Sequence, residues 1–155
     1  SPLHPHDAWR SIPLEQLAPL TDLEGTAFYS LQMGPPAEQV KQLGPRAHLV
    51  DLQDEQKDFA DTAAIVANLD LVISIDTSAA HLAGAMGKAV WVLLYKSADW
   101  RWMLEREDSP WYPTARLFRQ STLGNWQDVV THVEGELREL IARTAVAPTG
   151  GDRYA

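Results

Sequence analysis

Residues 69–94 read LDLVISIDTSAAHLAGAMGKAVWVLL: an apolar run, a polar break, small residues, a glycine and a second apolar run. That order leaves little choice of local fold. Residues 71–75 are rich in β-branched side chains and short enough for a strand, with Asp70 and Asp76-Thr77-Ser78 punctuating its ends. Residues 79–86 are good helix formers, Thr77 or Ser78 stands where an N-cap is needed, and Gly87 stands where a left-handed residue closes a helix. Residues 90–94 are apolar at successive positions, as in a parallel strand covered on both faces. The stretch is a β-α-β unit.

The turn DTSAAH, residues 76–81, is the part of this unit that can carry chemistry. In a parallel α/β sheet, ligands bind outside the carboxyl ends of the strands, where a helix start offers unpaired amides and a partial positive charge to an anion. Ala79, Ala80, Ala83, Gly84 and Ala85 keep the helix thin, Thr77 and Ser78 offer hydroxyls, and His81 lies one turn in. The pattern suits a phosphate site. It equally suits a capped helix with small packing residues, in which His81 is an ordinary packing or surface histidine.

Composition narrows the setting. A chain of 155 residues with 45% hydrophobic content can bury a core as one domain. Its net charge of −8 supplies no basic cluster to offset phosphate repulsion, which argues against a general nucleic-acid binder. With no cysteine there is no disulfide, thiol nucleophile or cysteine metal site. No apolar run approaches the roughly 20 residues that span a bilayer, and no signal-peptide pattern opens the chain, so a cytoplasmic setting is expected.

The first ten residues, SPLHPHDAWR, read as a loop; His4, His6 and Asp7 lack a distant fourth partner, and no metal is expected. Residues 11–20, SIPLEQLAPL, place Ser11 before Pro13 and Glu15 in a capping-box-like arrangement, so a short helix begins near Pro13. A strand is expected at 27–32, a helix at 37–43 closed by Gly44-Pro45, and a strand at 48–52. A helix at 59–69 follows, with Phe59, Ala63, Val66 and Ala67 near one face. The alternation of helix and strand calls for a mostly parallel sheet with right-handed crossovers. Such a domain normally opens with a strand, which is not visible here, so the chain reads as a piece of a longer protein whose first strand lies upstream or is missing. Residues 95–113 gather Trp100, Trp102, Trp111 and Tyr112 with Arg101 and Arg106, either to stack on a sugar or nucleobase or to cover the sheet edge. A last strand at 115–120 and an amphipathic helix at 126–143 close a domain spanning 1–143, and 144–155 reads as a disordered tail. An exposed sheet edge makes a homo-oligomer an expectation too.

The combination RSIPLEQLAPL, FYSLQ, DFADTAAIVANLDLVISIDTSAAHLAGAMGKAVWVLL, DWRW, SPWYP and RLFRQ resembles the carboxyl-terminal glycosyltransferase module of bacterial tetratricopeptide-repeat proteins. That module is related to the ADP-heptose:lipopolysaccharide heptosyltransferase family, glycosyltransferase family nine, and more distantly to O-linked N-acetylglucosamine transferases. The resemblance covers residues 1–126 and is sharpest in D-T-x-x-x-H-L-A-x-A-x-G, from Asp76 to Gly87.

The resemblance implies a Rossmann-like, three-layer αβα domain with a mostly parallel sheet, the sugar-nucleotide-binding half of a GT-B fold. It implies a metal-independent transfer of a sugar from a nucleotide diphosphate sugar to an acceptor hydroxyl, with no cofactor. By similarity Asp76, Thr77, Ser78 and His81 lie against the diphosphate and its adjoining ribose or sugar, and Arg10 is a second diphosphate contact. Gln32 ends a strand on the same rim, and residues 54–59 border the base. Heptosyltransferases usually carry glycine after D-T, whereas this chain has Ser78. In that family the general base comes from the amino-terminal domain, so the fragment is expected to bind a nucleotide sugar without turnover. Its expected partner is an amino-terminal GT-B or helical-repeat domain. The alternative is a non-catalytic nucleotide-sensing or partner-docking domain of a tetratricopeptide-repeat protein, with the tryptophan-rich segment as its contact surface.

Overall fold

The computed structural model describes residues 7–43 and 48–146. The elements in chain order are α1 (Asp7–Arg10), α2 (Leu14–Thr21), β1 (Phe28–Ser30), α3 (Glu38–Leu43), β2 (Leu49–Asp51), α4 (Phe59–Ala67), β3 (Val72–Ile75), α5 (Ser78–Ala85), β4 (Val90–Leu94), β5 (Ala115–Arg119) and α6 (Trp126–Val146). Short 3-10 turns cover Pro35–Ala37, Gln53–Glu55 and Trp100–Trp102.

The strands are all parallel, but they form two small sheets rather than the one that the alternation implies. β1 pairs with β2, and β3, β4 and β5 pair in that order. β4 is central to the larger sheet and buried at every residue, as its unbroken apolar run requires. Side-chain alternation divides this sheet into two faces. Ile73, Ile75, Trp91, Leu93 and Phe118 meet α2 and α6, whose Leu20, Trp126, Val129, Val130, Val133 and Leu137 complete one core cluster. Val72, Val90, Val92, Leu94 and Leu117 meet Ala80 and Ala83 of α5, Val66 of α4 and Trp102 in a second. Arg116 of β5 pairs with Glu136 of α6 on the first face, an ion pair that holds the Glu136 carboxyl below the usual carboxylate range.

Several local details depart from the sequence reading. The first segment is not all loop, because Asp7–Arg10 makes one helical turn; His4 and His6 lie outside the described residues, as do Gly44 and Pro45. Pro13, not Ser11, is the N-cap of α2, and no side chain of its own turn caps it; Leu14 N donates to Gln39 Oε1 from α3 at 2.9 Å. Phe59 does not join the apolar face of α4 but is 62% exposed, since Asp58 caps the helix and turns its first residue outward. α6 carries on through Thr144, Ala145 and Val146, and the rest of the expected tail lies outside the described residues. Gly87 has φ +69°, the left-handed turn that the sequence asked of it.

Candidate functional site

Asp76 and Thr77 follow β3 at its carboxyl end, and Ser78 opens α5. Thr77 is the N-cap residue, yet its hydroxyl does not cap the helix. It lies 2.9 Å from Ser74 Oγ instead, and the first chain-internal acceptor bond of the turn runs from His81 N to Thr77 O at 3.2 Å. The first amides of α5, at the exposed Ser78 and half-buried Ala79, therefore stand at the carboxyl end of β3 with no side-chain cap, while Ala80 is fully buried. α4 is the contrast: Asp58 accepts from Ala60 N at 2.8 Å and Asp61 N at 3.0 Å.

His81, one turn into α5, is fixed from several directions. Nε2 lies 3.2 Å from Asp76 Oδ1, Nδ1 lies 3.0 Å from the Tyr112 hydroxyl, and the ring stacks on Trp102 with centroids 5.2 Å apart. Two protonation states satisfy this geometry. In the neutral ring Nε2–H donates to Asp76 while Tyr112 O–H donates to Nδ1; in the imidazolium both nitrogens donate. Either way both nitrogens are engaged within the chain, so a ligand reaches His81 only by displacing Asp76 or Tyr112. The free oxygen of Asp76 can accept from a hydroxyl, and the α5 amides can donate to an anion.

Beside this cluster opens a cleft of about 340 Å³ lined by His81, Trp100, Arg101, Trp102, Trp111 and Tyr112. Its floor is Trp102, 1% exposed and packed on the sheet, while Trp100 and Trp111 are 70% and 57% exposed and meet edge to face with centroids 6.4 Å apart. Sequence pattern treated Trp102 and Trp111 alike. The structure separates them, because the 3-10 turn at Trp100–Trp102 directs one indole inward while Trp111 stays at the mouth. Arg101 sits over the Trp100 ring at 5.3 Å and pairs with Asp99 at 2.9 Å.

Arg119, at the end of β5, holds this wall in place. Its Nη2 donates to Trp102 O at 2.9 Å and Met103 O at 2.7 Å, where Met103 turns with φ +52°. Burial pushes its guanidinium below the usual arginine range, and no carboxylate pairs with it among the described residues. Trp102 Nε1, Arg119 Nη1 and Gln120 Nε2 are buried donors without an acceptor among the described residues.

The structure thus brings Asp76, Thr77, Ser78 and His81 to one corner of the rim. Arg10, at the end of α1, and Gln32, after β1, do not line the His81 cleft. The residues beside Arg10, Trp9 and Ser11, border a separate open cleft of about 450 Å³ with Pro13, Gln39, Gly124 and Trp126. Residues 54–59 lie between β2 and α4, also outside the His81 cleft. Sequence reasoning missed Tyr112 as the partner of His81. Gly84 carried the signal: a Cβ there would stand 2.5 Å from the Tyr112 ring, so the missing side chain makes room for that tyrosine rather than for a ligand. Among the described residues no three His, Asp or Glu side chains converge as metal ligands would.

Among curated proteins, Protein FlbA of Caulobacter vibrioides is similar to this chain, 31% identical over 134 residues that make up 84% of this chain and 22% of FlbA. The chain therefore spans about a fifth of the length of the curated relative that it matches. No family model matches the chain, and no solved structure does.

Proposed function

We propose that this chain is the donor-binding domain of a glycosyltransferase, the Rossmann-like carboxyl-terminal half of a GT-B pair related to glycosyltransferase family nine. It takes a nucleotide diphosphate sugar, needs no cofactor, and leaves the acceptor and general base to an amino-terminal GT-B or helical-repeat domain. Such a domain works in the cytoplasm, where nucleotide sugars are made.

The observation that carries the reading is the uncapped start of α5 beside a carboxylate held by His81. In sugar transfer the departing diphosphate gains negative charge, and preorganised amides at a helix start stabilise that charge without having to reorganise. A carboxylate does not favour a diphosphate, so Asp76 suits a sugar or ribose hydroxyl, with His81 and Tyr112 fixing its direction. This gives the His81 ring a positioning role; the diphosphate contact from Arg10 rests on the family resemblance, not on the His81 cleft.

The second reading, a nucleotide-sensing or partner-docking domain without catalysis, draws on the exposure of Trp100 and Trp111, large indoles at the mouth of a cleft. Titration calorimetry with UDP-, GDP- and ADP-glucose separates the two. Binding of at least one, weakened about tenfold or more by His81→Ala and by Arg10→Ala, is the expected result; tenfold corresponds to about 1.4 kcal/mol. No heat with any of the three overturns the donor reading.

A further inference from the structure

Trp100 and Trp111 take no part in holding a diphosphate, and the aromatic rings around the His81 cleft have unequal surroundings. Trp102 is its buried floor, and the His81 ring already stacks on it at 5.2 Å. Tyr112 engages His81 through its hydroxyl and lies with its ring against Gly84. Trp100 carries the Arg101 guanidinium over its face at 5.3 Å. Trp111 has neither a stacked ring nor a cation on its face among the described residues, and it meets Trp100 at an interplanar angle of 87°. An open indole face therefore stands at the mouth of the cleft, 57% exposed.

The backbone beneath that face is set in advance. Ser109, which is buried, accepts at Oγ from Trp111 N at 3.2 Å and Tyr112 N at 3.4 Å, and Asp99 accepts from Arg101 N at 3.0 Å at the start of the 3-10 turn. Groups fixed this way lose little freedom when a ligand arrives. Their arrangement also selects the ligand. Two perpendicular indoles cannot sandwich a planar base, but they leave a platform for a ring that needs only one. A pyranose is such a ring: its face of C–H groups suits the negative face of an indole, and its hydroxyls lie around the rim. Charge points the same way. Arg101 Nη1 pairs with Asp99 at 2.9 Å and His81 with Asp76 at 3.2 Å, so the charges at the cleft are already matched within the chain. The unmatched group is a neutral donor, Trp102 Nε1, which is buried with no acceptor among the described residues and for which a hydroxyl oxygen is a fitting partner.

We propose that the cleft is a subsite for one neutral hexopyranose unit, stacked on Trp111 and accepting at a hydroxyl oxygen from Trp102 Nε1. Its volume of about 340 Å³ lies at the small end of ligand sites, roughly 300 to 1,000 Å³, and suits one sugar ring rather than a whole nucleotide sugar. Two sources present that ring with the same chemistry. One is the sugar of the donor, whose diphosphate then lies at the start of α5; the other is a glycan that acts as acceptor. The subsite does not depend on the donor-binding reading, because neither the stack nor the hydrogen bond involves a diphosphate.

The test reads the indole N–H resonances of the six tryptophans in the isotope-labelled chain. Cellotriose is the glycan probe; UDP-glucose against UDP, with the GDP and ADP pairs, probes the donor source. The expected result is saturable shifts at Trp111 and Trp102, the latter downfield as its N–H gains an acceptor, while Trp91 in the other core cluster stays in place and reports the fold. Trp111→Ala weakens this binding about fivefold or more, and Trp111→Phe recovers part of the loss. Shifts with cellotriose assign the glycan source, and shifts given by the glucose-bearing member of a nucleotide pair alone assign the donor source. Nucleotides that bind equally with and without glucose, beside a silent cellotriose, overturn the subsite and leave the donor domain standing. Cellotriose binding without any nucleotide binding does the reverse. Sugar binding that leaves Trp111 or Trp102 unmoved, or that survives Trp111→Ala undiminished, overturns the subsite, and no binding of any probe overturns both.

Discussion

Gly84 lies under the Tyr112 ring, and the two together set the angle from which Tyr112 reaches His81. Two effects compete in Gly84→Ala. Alanine gains about 1 kcal/mol of helix propensity over glycine, but its Cβ would stand 2.5 to 2.9 Å from three ring atoms near the root of the tyrosine, where the side chain has little freedom to yield. Overpacking of that kind costs about 1 to 3 kcal/mol. Gly84→Ala is therefore expected to be neutral to about 2 kcal/mol destabilising in urea unfolding. In a Tyr112→Ala background the same change becomes stabilising by about 1 kcal/mol, because only the propensity remains. Additivity across this cycle would show that the ring does not rest on Gly84. The relation was half legible in advance. The run of small residues announced that something approaches α5 closely, but the approaching group stands 28 residues away in a segment without periodicity, and spacing carries no information about such contacts.

α4 and α5 end their first turns differently, and that difference separates a helix built for stability from one open to a ligand. Asp58 satisfies two amides of α4, so Asp58→Ala is expected to cost about 1 kcal/mol. Thr77 leaves α5 uncapped by turning its hydroxyl to Ser74. Thr77→Asp supplies a stronger cap and a favourable charge at the helix start, with an expected gain of about 0.5 kcal/mol. The same carboxylate occupies the amides and repels an anion, so on the proposed donor-binding reading nucleotide binding falls while stability rises. Urea midpoints at constant m-value, read beside calorimetry, check both signs; a Thr77→Asp protein that binds as well as the parent shows that these amides hold no phosphate. The elements themselves were readable because each has its own punctuation. Gly87 and the unbroken apolar run of β4 act within a few residues of the structure that they specify. The bond from Leu14 N to Gln39 Oε1 does not, so α2 starts near Pro13 as its sequence implies but without the Ser11 box.

The parallel topology was legible from the alternation of strand and helix signals, because a parallel pair needs a crossover. The division into two sheets was not, since nothing local to 28–30 or 72–75 says which neighbour each edge takes. That division has a consequence for how the folded chain opens. β4 is buried at every residue and paired on both sides, and its amides report only the largest opening. β1 and β2 are three residues each, half-buried, and paired only with one another. Their attachment to the rest runs through α2, which contacts α3 and α6, and through Phe28 and Leu31 at the margins of the two cores. Losing this pair exposes little apolar surface, so it requires much less free energy than losing β3, β4 and β5. In native-state hydrogen exchange at rising urea, the hydrogen-bonded amides of Phe28, Ser30 and Leu52 are expected to exchange through a subglobal opening with a small denaturant slope. Those of Ser74, Val92 and Phe118 should follow the global one. A single isotherm for both groups would mean that the small sheet is bound as firmly as the large one.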